Sequence, residues 1–411
     1  MTNVIGIIGE YNPFHNGHKY HLEKSKQLLN ADYVVAVVSG NFVQRGNVSL
    51  IDKWAKAEMS INNGVDLVIE LPTIYSISSA ENFAFGAVKT LDSLNVVDYL
   101  SFGTETYDLN ILNKIADILY YQPSEYVSIL NHELSKGISF PKARENAVLM
   151  YLNDIRTYAN ILSTPNNILG IEYLKSLKRI KSSIRPMNVQ REGVGYNDLG
   201  IKVNLASATA IRNMIMNNVL SKLPYVMPNS SYRVLYNSFS KGHYVKDISR
   251  FEKEIIYTLR RMSLSEIANL PDVSEGLEHN LKSAANSCNT LAEFMNIIKT
   301  KRYTSTRIQR ILLYALLGIT KKDMKDSTKN IPYIRVLGFN NKGKELLSII
   351  SNSNKNIDVI TSVKKYLDYG NPSKYSKRML NIDINATNTY TVGYAKDSWA
   401  NLDYTHNMII F

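Results

Sequence analysis

The sequence predicts an α/β protein, with a doubly wound parallel sheet in residues 1–220 and a mainly helical region with a small α/β piece in residues 221–411. In the first third of the chain, short apolar stretches alternate with stretches of helical spacing, as in parallel sheets covered by helices on both faces. Beyond the Tyr225–Pro228 segment, helical patterns dominate and one strand-like stretch stands out. A chain of 411 residues is also too long for one compact core, so two or three domains are expected.

The predicted strand Tyr33–Ser39 is β-branched and apolar throughout, which is typical of a strand covered on both faces. Proline and glycine set several boundaries, since Gly64 is a suitable helix C-cap and Pro72 ends the third strand. The predicted strands are Val4–Gly9, Tyr33–Ser39, Asp66–Leu71, Val97–Phe102 and Ile184–Val189. The predicted helices are His18–Leu29, Trp54–Asn63, Ser79–Leu94 and Ala206–Met216, and residues 107–177 are mostly helical. In the second region we expect helices over residues 248–319, a strand at Tyr333–Gly338 and a helix at Asn341–Ser351.

Composition excludes several classes of protein. Cys288 is the only cysteine, which excludes an intramolecular disulfide and a cysteine-rich zinc site. No apolar stretch approaches the ~18 residues that a membrane helix needs. The first ten residues lack a basic leader and predict a buried strand, so we expect a cytoplasmic protein.

The net charge of +12 is unevenly distributed. Residues 1–150 hold 11 Lys and Arg against 16 Asp and Glu, a balance of −5, whereas residues 151–411 hold 37 against 20, a balance of +17. This asymmetry favours an acidic or neutral catalytic part joined to a part that binds a polyanion such as a nucleic acid. A solvated basic surface on a Lys-rich protein is the alternative.

The first predicted strand leads into the segment Glu10–His18, which reads EYNPFHNGH. The chain turns at Asn12-Pro13 and a helix begins near Gly17, so the loop lies at the carboxyl end of the sheet, where open α/β folds bind ligands. Free N–H groups at the start of that helix would face a phosphate. His15 and His18, one turn apart, are the predicted catalytic residues, because imidazole donors stabilise charge in an in-line displacement at phosphorus.

Two other interpretations of these histidines remain open. They could form a metal pair, with His21 as a third ligand, or they could be ordinary surface histidines. No Asp or Glu accompanies them at ligand spacing, so no resident metal site is predicted.

A second phosphate-binding pattern follows near the end of the first region. Ser207 and Thr209 stand at a predicted helix start, and Arg212 follows one turn later. Hydroxyl and N–H groups there can hold terminal phosphates while the arginine neutralises them. Ser/Thr helix caps are common, so this pattern gains meaning only with the histidine motif.

An HxGH loop after the first strand, with a Ser/Thr-x-x-Arg helix start later, is similar to the adenylyltransferase and class I synthetase superfamily. More closely, the chain resembles the bacterial tRNA(Met) cytidine acetate ligase family, within the HxGH nucleotidylyltransferases. The resemblance covers nearly the whole chain and rests on Glu10–Leu22, Gly40–Gly46, Asp66–Pro72, Phe102–Glu105, Pro165–Tyr173 and Val336–Asn340. It implies that residues 1–220 form the nucleotidylyltransferase-like, ATP-binding catalytic domain and residues 221–411 the basic, mainly helical tRNA-binding region.

The resemblance implies an ATP-dependent ligase with two steps. Acetate attacks the α-phosphate of ATP, giving acetyl-adenylate and pyrophosphate. The exocyclic amine of the wobble cytidine in elongator tRNA(Met) then takes the acetyl group and AMP leaves, which gives N4-acetylcytidine. A cytosine amine is a poor nucleophile, so prior activation of the acyl group makes chemical sense. Mg²⁺ is expected with the ATP phosphates.

The resemblance also implies which residues bind ATP. Gly103 is expected beneath the nucleotide, where a residue without a side chain permits close approach; a plain strand-ending turn is the alternative. Asn166 and Asn167 could instead simply cap a helix after Pro165. The implied ATP-binding residues are Ile7, Ile8, Gly9, Glu10, Tyr11, Asn12, Pro13, Phe14, His15, Asn16, Gly17, His18, Lys19, Tyr20, Gly103, Asn166, Asn167, Arg191, Ser207, Thr209 and Arg212. No role follows for Asn41, Gln44 and Arg45.

Three basic clusters in residues 151–411 favour tRNA as the partner. Tyr303, Tyr366 and Tyr375 lie among them and could stack on bases. The clusters are Lys175, Lys178, Arg179, Lys181 and Arg185; Lys299, Lys301, Arg302, Arg307 and Arg310; and Lys364, Lys365, Lys374, Lys377 and Arg378. Which cluster contacts the anticodon, and the oligomeric state, remain open.

Two other functions compete with the ligase. One is a cofactor-synthesising adenylyltransferase, which would share the histidine motif but has little use for so large a basic region. The other is a non-catalytic RNA-binding protein with a vestigial nucleotide site. The presence of both His15 and Arg212 argues against the second function, because a lost activity need not retain two phosphate-binding motifs.

Overall fold

The computed structural model describes residues 2–191, 205–274, 276–299, 303–353, 357–396 and 398–411. The strands in these residues are β1 (Val4–Gly9), β2 (Tyr33–Ser39), β3 (Phe42–Val43), β4 (Asn47–Val48), β5 (Leu67–Leu71), β6 (Tyr99–Thr104), β7 (Arg185–Gln190), β8 (Ile334–Phe339), β9 (Val359–Ile360) and β10 (Ile409–Ile410).

Helices make up most of the remaining structure. Up to residue 220 they are α1 (Asn16–Leu29), α2 (Lys53–Ile61), α3 (Thr73–Ser76), α4 (Ala80–Asp92), α5 (Leu109–Tyr121), α6 (Ser124–Ser135), α7 (Phe140–Leu152), α8 (Ile155–Tyr158), α9 (Pro165–Ile180) and α10 (Ala208–Met216). Beyond residue 220 they are α11 (Leu223–Val226), α12 (Asn229–Lys241), α13 (Glu252–Arg261), α14 (Leu264–Ala268), α15 (Leu277–Ser287), α16 (Leu291–Ile298), α17 (Ser305–Leu317), α18 (Lys321–Ser327), α19 (Asn341–Ser353), α20 (Val363–Tyr369), α21 (Lys374–Val392) and α22 (Leu402–Thr405). Short 3-10 turns lie at Ile161–Ser163, Leu220–Lys222 and Ile248–Phe251.

The sheet has the order β10-β8-β5-β2-β1-β6-β7, and β9 pairs with β8. The five strands predicted in the first region pair in parallel, with β1 lying between β2 and β6. After β1 the chain continues to β2 and β5 on one side, and only later to β6 and β7 on the other. This reversal beside β1 creates a crevice at the carboxyl ends of the strands.

The strand predicted at Tyr333–Gly338 corresponds to β8, and it pairs antiparallel with β5. The predicted small α/β piece therefore joins the main sheet and makes it a mixed sheet. The boundary predicted near residue 220 does not separate two sheets, and the larger core cluster likewise draws residues from both sides of it. That residues 1–220 are catalytic and that residues 221–411 bind tRNA stays a prediction.

A buried group of charges joins β5 and β8 to the rest of the fold. Glu70 of β5 accepts from Lys53 Nζ at 3.0 Å and lies 3.1 Å from a guanidinium nitrogen of Arg335 in β8. Asp403 of α22 pairs with the same Lys53 at 2.7 Å and with Arg335. All four side chains are at most 6% exposed, and two cations balance two anions.

No helix in the described ranges is long and apolar enough to cross a membrane.

Candidate active site

A cavity of about 490 Å³ opens at the carboxyl ends of β1, β6 and β7. Its walls come from the loop after β1, the β3–β4 hairpin, the start of α9 and the start of α10. The fold therefore brings the histidine motif and the Ser207–Arg212 segment, about 190 residues apart in sequence, to one site.

The histidine motif begins α1 with an unusual cap. His15 is the N-cap residue, and its Nδ1 accepts the backbone N–H of Gly17 at 3.0 Å. His18 reaches back, and its Nδ1 accepts the backbone N–H of His15 at 3.3 Å. The two rings stack with centroids 3.7 Å apart. The reciprocal bonds fix both rings at the mouth of the helix.

These hydrogen bonds decide which nitrogen carries the proton. A neutral imidazole whose Nδ1 accepts a backbone N–H carries its proton on Nε2. Both rings are neutral, because burial, with help from Arg191 and Arg212, lowers the pKa of His15 to about 3. Burial, together with His15, Arg191 and His21, also holds the pKa of His18 well below its usual value. Each histidine therefore offers an Nε2–H donor without carrying a charge.

Gly17 is required by His15 in this geometry. A Cβ at residue 17 would lie 2.9 Å from Cε1 and 3.1 Å from Nδ1 of His15. The absence of a side chain thus makes room for the His15 ring, and it would also let a nucleotide approach the backbone closely. Both functions are compatible with the same glycine.

The charges and helix ends around the cavity favour the binding of an anion. It faces the N-terminal ends of α1 and α10, where the helix dipole is positive. Arg45, Arg191 and Arg212 line it, and Glu10 is the one acidic residue among the described lining residues. Three arginines and one carboxylate suit the binding of a phosphate chain together with a second anionic group of the ligands.

Arg212 links the two predicted phosphate motifs. Its guanidinium donates to the backbone oxygen of Asn12 at 2.8 Å and to the hydroxyl of Thr209 at 3.0 Å. Burial lowers the pKa of Arg212, and nearby Glu10 opposes that shift. Ser207 accepts the backbone N–H of Ala210 at 3.1 Å and so caps α10. The arginine therefore holds α10 against the loop after β1.

Gly103, near the end of β6, lies beneath Arg191. A Cβ at residue 103 would meet the Arg191 Cγ at 3.2 Å, and the Arg191 backbone N–H donates to Thr104 at 2.8 Å. Because Gly103 has no side chain, the aliphatic part of the Arg191 side chain can cross the end of β6. This places the guanidinium of Arg191 at the cavity wall.

Most of the residues predicted to bind ATP line this cavity: Ile7, Ile8, Gly9, Glu10, Tyr11, Asn12, His15, Gly17, His18, Tyr20, Gly103, Asn166, Arg191, Ser207, Thr209 and Arg212. Five of them, Pro13, Phe14, Asn16, Lys19 and Asn167, are not part of its wall. Phe14 is completely buried, and Asn16 donates to the backbone of Tyr225 at 3.0 Å. Lys19 pairs with Glu23 on the surface of α1.

The two asparagines after Pro165 hold a loop in place. Asn167 is buried, and its Oδ1 accepts the backbone N–H groups of Glu105 and Thr106, each at 3.0 Å. The Glu105 carboxylate in turn accepts from the Asn166 amide at 2.6 Å and from the Asn167 backbone at 2.8 Å. The Glu105 carboxylate therefore already balances the positive N-terminal end of α9. Of the two asparagines, only Asn166 lines the cavity.

Sequence reasoning missed the contribution of the β3–β4 hairpin. Gln44 and Arg45 at its tip line the cavity, and Asn41 anchors its base by accepting the backbone N–H of Lys53 at 2.9 Å. Arg45 and Gly46 both have positive φ, and a Cβ on Gly46 would lie 2.4 Å from the backbone nitrogen of Arg310 in α17. The glycines of the GNFVQRG segment indicate a turn. They do not indicate that this turn folds over the loop after β1.

The chain is similar to known proteins over nearly its whole length. Residues 2–403 match the family model described as HIGH Nucleotidyl Transferase. A tRNA(Met) cytidine acetate ligase of Thermoanaerobacter sp. is 46% identical over 407 residues, which cover 99% of each chain. The enzyme of the same name from Caldanaerobacter subterraneus is 45% identical, again over 99% of each chain. The chain belongs to the tRNA(Met) cytidine acetate ligase family. A crystal structure of Thermotoga maritima TmcAL bound with α-thio ATP has a TM-score of 0.91, with 34% identity over 100% of this chain and 99% of that one.

In this member of the tRNA(Met) cytidine acetate ligase family, the predicted basic clusters differ in availability. Arg307 and Arg310 are tied to Asp272, Lys175 to Glu172, and Lys178 to Asp117. Lys301 and Arg302 lie outside the described residues. Lys364, Lys365, Lys374 and Lys377 are exposed on α20 and α21, and within the described ranges they form no ion pair. We call these four the α20–α21 lysines.

The tyrosines predicted to stack on bases are less available than the sequence suggested. Tyr303 is only 8% exposed and belongs to the hydrophobic core. Tyr366 donates to Asp358 at 2.6 Å and Tyr375 to the backbone of Asn330 at 2.7 Å. Tyr369, which the sequence analysis did not single out, is 88% exposed beside the α20–α21 lysines.

Proposed function

We propose that this protein activates acetate with ATP and transfers the acetyl group to the exocyclic amine of the wobble cytidine in elongator tRNA(Met). Acetate would attack the α-phosphorus and pyrophosphate would leave. The cytidine amine would then attack the acetyl carbon of acetyl-adenylate and release AMP. Family membership supports this proposal, since the relatives carry the name tRNA(Met) cytidine acetate ligase and a structural neighbour binds an ATP analogue.

The observation that carries the proposal is the pair of neutral, stacked histidines at an anion-binding cavity. Their Nε2–H groups can donate to phosphate oxygens on which charge builds as pyrophosphate leaves. Arg191 and Arg212 supply the permanent positive charge. Fixed donors cost little reorganisation during the reaction, so this arrangement favours the transition state over bound ATP.

We further propose that Mg²⁺ accompanies the ATP phosphates. Among the described residues, no group of three His, Cys, Asp or Glu side chains is placed to hold a metal ion. The phosphates themselves would therefore provide the anionic ligands, as is common for Mg²⁺. We expect the reaction in the cytoplasm, together with its tRNA.

A direct experiment tests the function. Radiolabelled acetate should enter tRNA(Met) only when ATP is present, with one AMP formed for each acetyl group transferred. Labelling from acetyl-coenzyme A without ATP would contradict the proposal. Transfer of AMP to a phosphorylated small molecule would instead favour a cofactor-synthesising adenylyltransferase, and tRNA binding without turnover a non-catalytic protein.

Arg212→Ala should weaken ATP binding as well as slow turnover. The guanidinium helps to hold α10 against the phosphate loop and provides charge in the ground state, so its loss affects bound ATP too. We expect the Kd for ATP, measured by isothermal titration calorimetry, to rise by about tenfold. Arg233→Ala removes an exposed arginine of α12 as the matched control. Equal ATP affinity in both variants would remove Arg212 from the site.

Binding of tRNA should weaken steeply as salt increases. Each lysine that contacts a phosphate releases a counterion, so log K should fall linearly with log salt. Changing all four α20–α21 lysines to alanine should reduce that slope by roughly 3–4, at about 0.7–0.9 for each contact. Lys136→Ala with Lys142→Ala is the control, because both lysines are paired with acids. An unchanged slope in the quadruple variant would place the tRNA elsewhere.

A further inference from the structure

The proposed transfer step needs a proton acceptor. As the cytidine N4 lone pair forms a bond to the acetyl carbon, the nitrogen becomes positively charged and must lose a proton. A positioned base accelerates such a step by about 10²–10⁴-fold. The acetyl group of acetyl-adenylate is bonded to the α-phosphate, so the base must lie beside the phosphate-binding loop.

Glu10 occupies such a position. It follows β1 directly, five residues before His15, and its side chain lines the cavity. The carboxylate Oε1 accepts the backbone N–H of Gln44 at 2.8 Å, which fixes the group against the hairpin. Within the described part of the chain, Oε2 has no hydrogen-bond partner.

The other polar groups of the cavity are poor proton acceptors. His15 and His18 already use Nδ1 to accept backbone N–H groups, and Nε2 of each holds a proton. The arginines only donate. Burial raises the pKa of Tyr11 and of Tyr173 above the usual value, so both keep their protons. His21 is the remaining competitor, and its Nε2 lies 3.0 Å from the Ser101 hydroxyl.

The surroundings of Glu10 suit a group that must change its protonation state. Burial raises its pKa, whereas Lys56 of α2, the Gln44 backbone, Arg212 of α10 and Arg45 of the hairpin lower it. Tyr173 of α9 also faces the carboxylate. The net rise brings proton affinity closer to neutral pH, and the surrounding cations keep an ionised carboxylate tolerable beside phosphates.

We propose that Glu10 is the general base of acetyl transfer, an assignment that rests on the proposed function. As the N4–carbon bond forms, the Glu10 carboxylate takes one N4 proton. The bond between the acetyl carbon and the phosphate oxygen breaks, and AMP leaves with that electron pair. Glu10 then returns the proton to solvent, and the products are acetylcytidine, AMP and one proton.

A specific pH dependence follows. The base must be ionised, so transfer is slow below the Glu10 pKa and rises as pH increases through it. Because the pKa of Glu10 is raised, the transfer rate should increase over a pH range above that in which an ordinary glutamate ionises. Formation of acetyl-adenylate needs ionised acetate but no base on the enzyme, so its pH dependence should follow the ionisation of acetate and not that of Glu10.

The experiment separates the two steps in Glu10→Gln. Acetate-dependent exchange of labelled pyrophosphate into ATP measures activation, and mixing the enzyme-bound acetyl-adenylate with tRNA in a single turnover measures transfer. The amide keeps the shape of the side chain and can still accept the Gln44 N–H. We expect transfer to fall by about 10²-fold or more, well beyond any change in exchange, and the rise of transfer with pH to vanish.

Two further variants guard against a merely structural effect. Glu10→Asp keeps the charge near Lys56 but shortens the side chain, so transfer should be slower with the pH limb retained. Glu58→Gln alters a half-buried glutamate of α2 outside the cavity, whose pKa burial also raises, and should change neither step.

Three results would overturn the assignment. Equal loss of exchange and transfer in Glu10→Gln would make the residue part of the ATP site only. Persistence of the pH limb in Glu10→Gln would exclude it as the titrating group. Loss of that limb in His21→Asn would identify His21 as the base. Absence of exchange in the unmodified enzyme would instead contradict the proposed function.

Discussion

His15→Ala and His18→Ala, made separately, are expected to lower the rate of acetyl-adenylate formation by about 10²-fold or more. Each substitution removes a ring that is fixed by a backbone hydrogen bond and whose Nε2–H, in the proposed reaction, donates to developing negative charge. ATP affinity should change much less, because a donor that acts mainly in the transition state contributes little to ground-state binding. Acetate-dependent pyrophosphate exchange measures the rate, and calorimetry measures the affinity.

The double variant should be less impaired than the product of the two single effects, since the rings stack 3.7 Å apart and position each other. His132→Ala removes an exposed histidine of α6 and serves as the control. Exchange at a near-normal rate in both single variants would refute the assignment of His15 and His18 as catalytic residues.

Asp403→Asn is expected to lower the free energy of unfolding by about 3–5 kcal/mol. The substitution keeps the shape of the side chain but leaves Glu70 as the only ion-pair partner of Lys53 and Arg335 among the described residues, in a buried environment. The two cations hold the pKa of Asp403 below its usual value although burial opposes this, so the carboxylate is charged in the folded protein. Urea denaturation followed by circular dichroism measures the loss.

Asp326→Asn is the matched control. Asp326 pairs with Lys329 at 3.2 Å on the surface, where both side chains remain at least 36% exposed. An exposed pair contributes about 0–1 kcal/mol, so the control should be nearly neutral. A similar small loss in Asp403→Asn would mean that water or local movement compensates the buried charges.

The parts of the fold that the sequence predicted are those fixed by local pattern. The apolar stretch Val4–Gly9, the turn at Asn12-Pro13 and the histidines after it indicated a strand, a loop and a helix without knowledge of distant residues. The cavity brings Ser207 and Arg212 to the same place as His15, as the combined motifs suggested.

The parts that could not be predicted depend on pairing over long distances. Nothing local in Ile334–Phe339 specifies antiparallel pairing with β5, because a fully buried strand has the same apolar pattern in either direction. Glu70 in β5 and Arg335 in β8, each the one charged residue of its strand, hinted at buried ionic partners, but not that the two pair with each other. The roles of Gln44 and Arg45 depend likewise on how α17 supports the hairpin tip.

The position of β8 also has a consequence for synthesis on the ribosome. β5 leaves the ribosome about 260 residues before its neighbour β8, which at roughly 5–20 residues per second is an interval of about 13–50 s. Throughout that interval the nascent sheet has an open edge of apolar side chains and unpaired backbone groups, to which another chain could add a strand. Glu70 is the one charged residue of this edge, and a charge there opposes such pairing. The Glu70 carboxylate, which links β5 to β8 in the folded protein, therefore also opposes aggregation of the nascent chain.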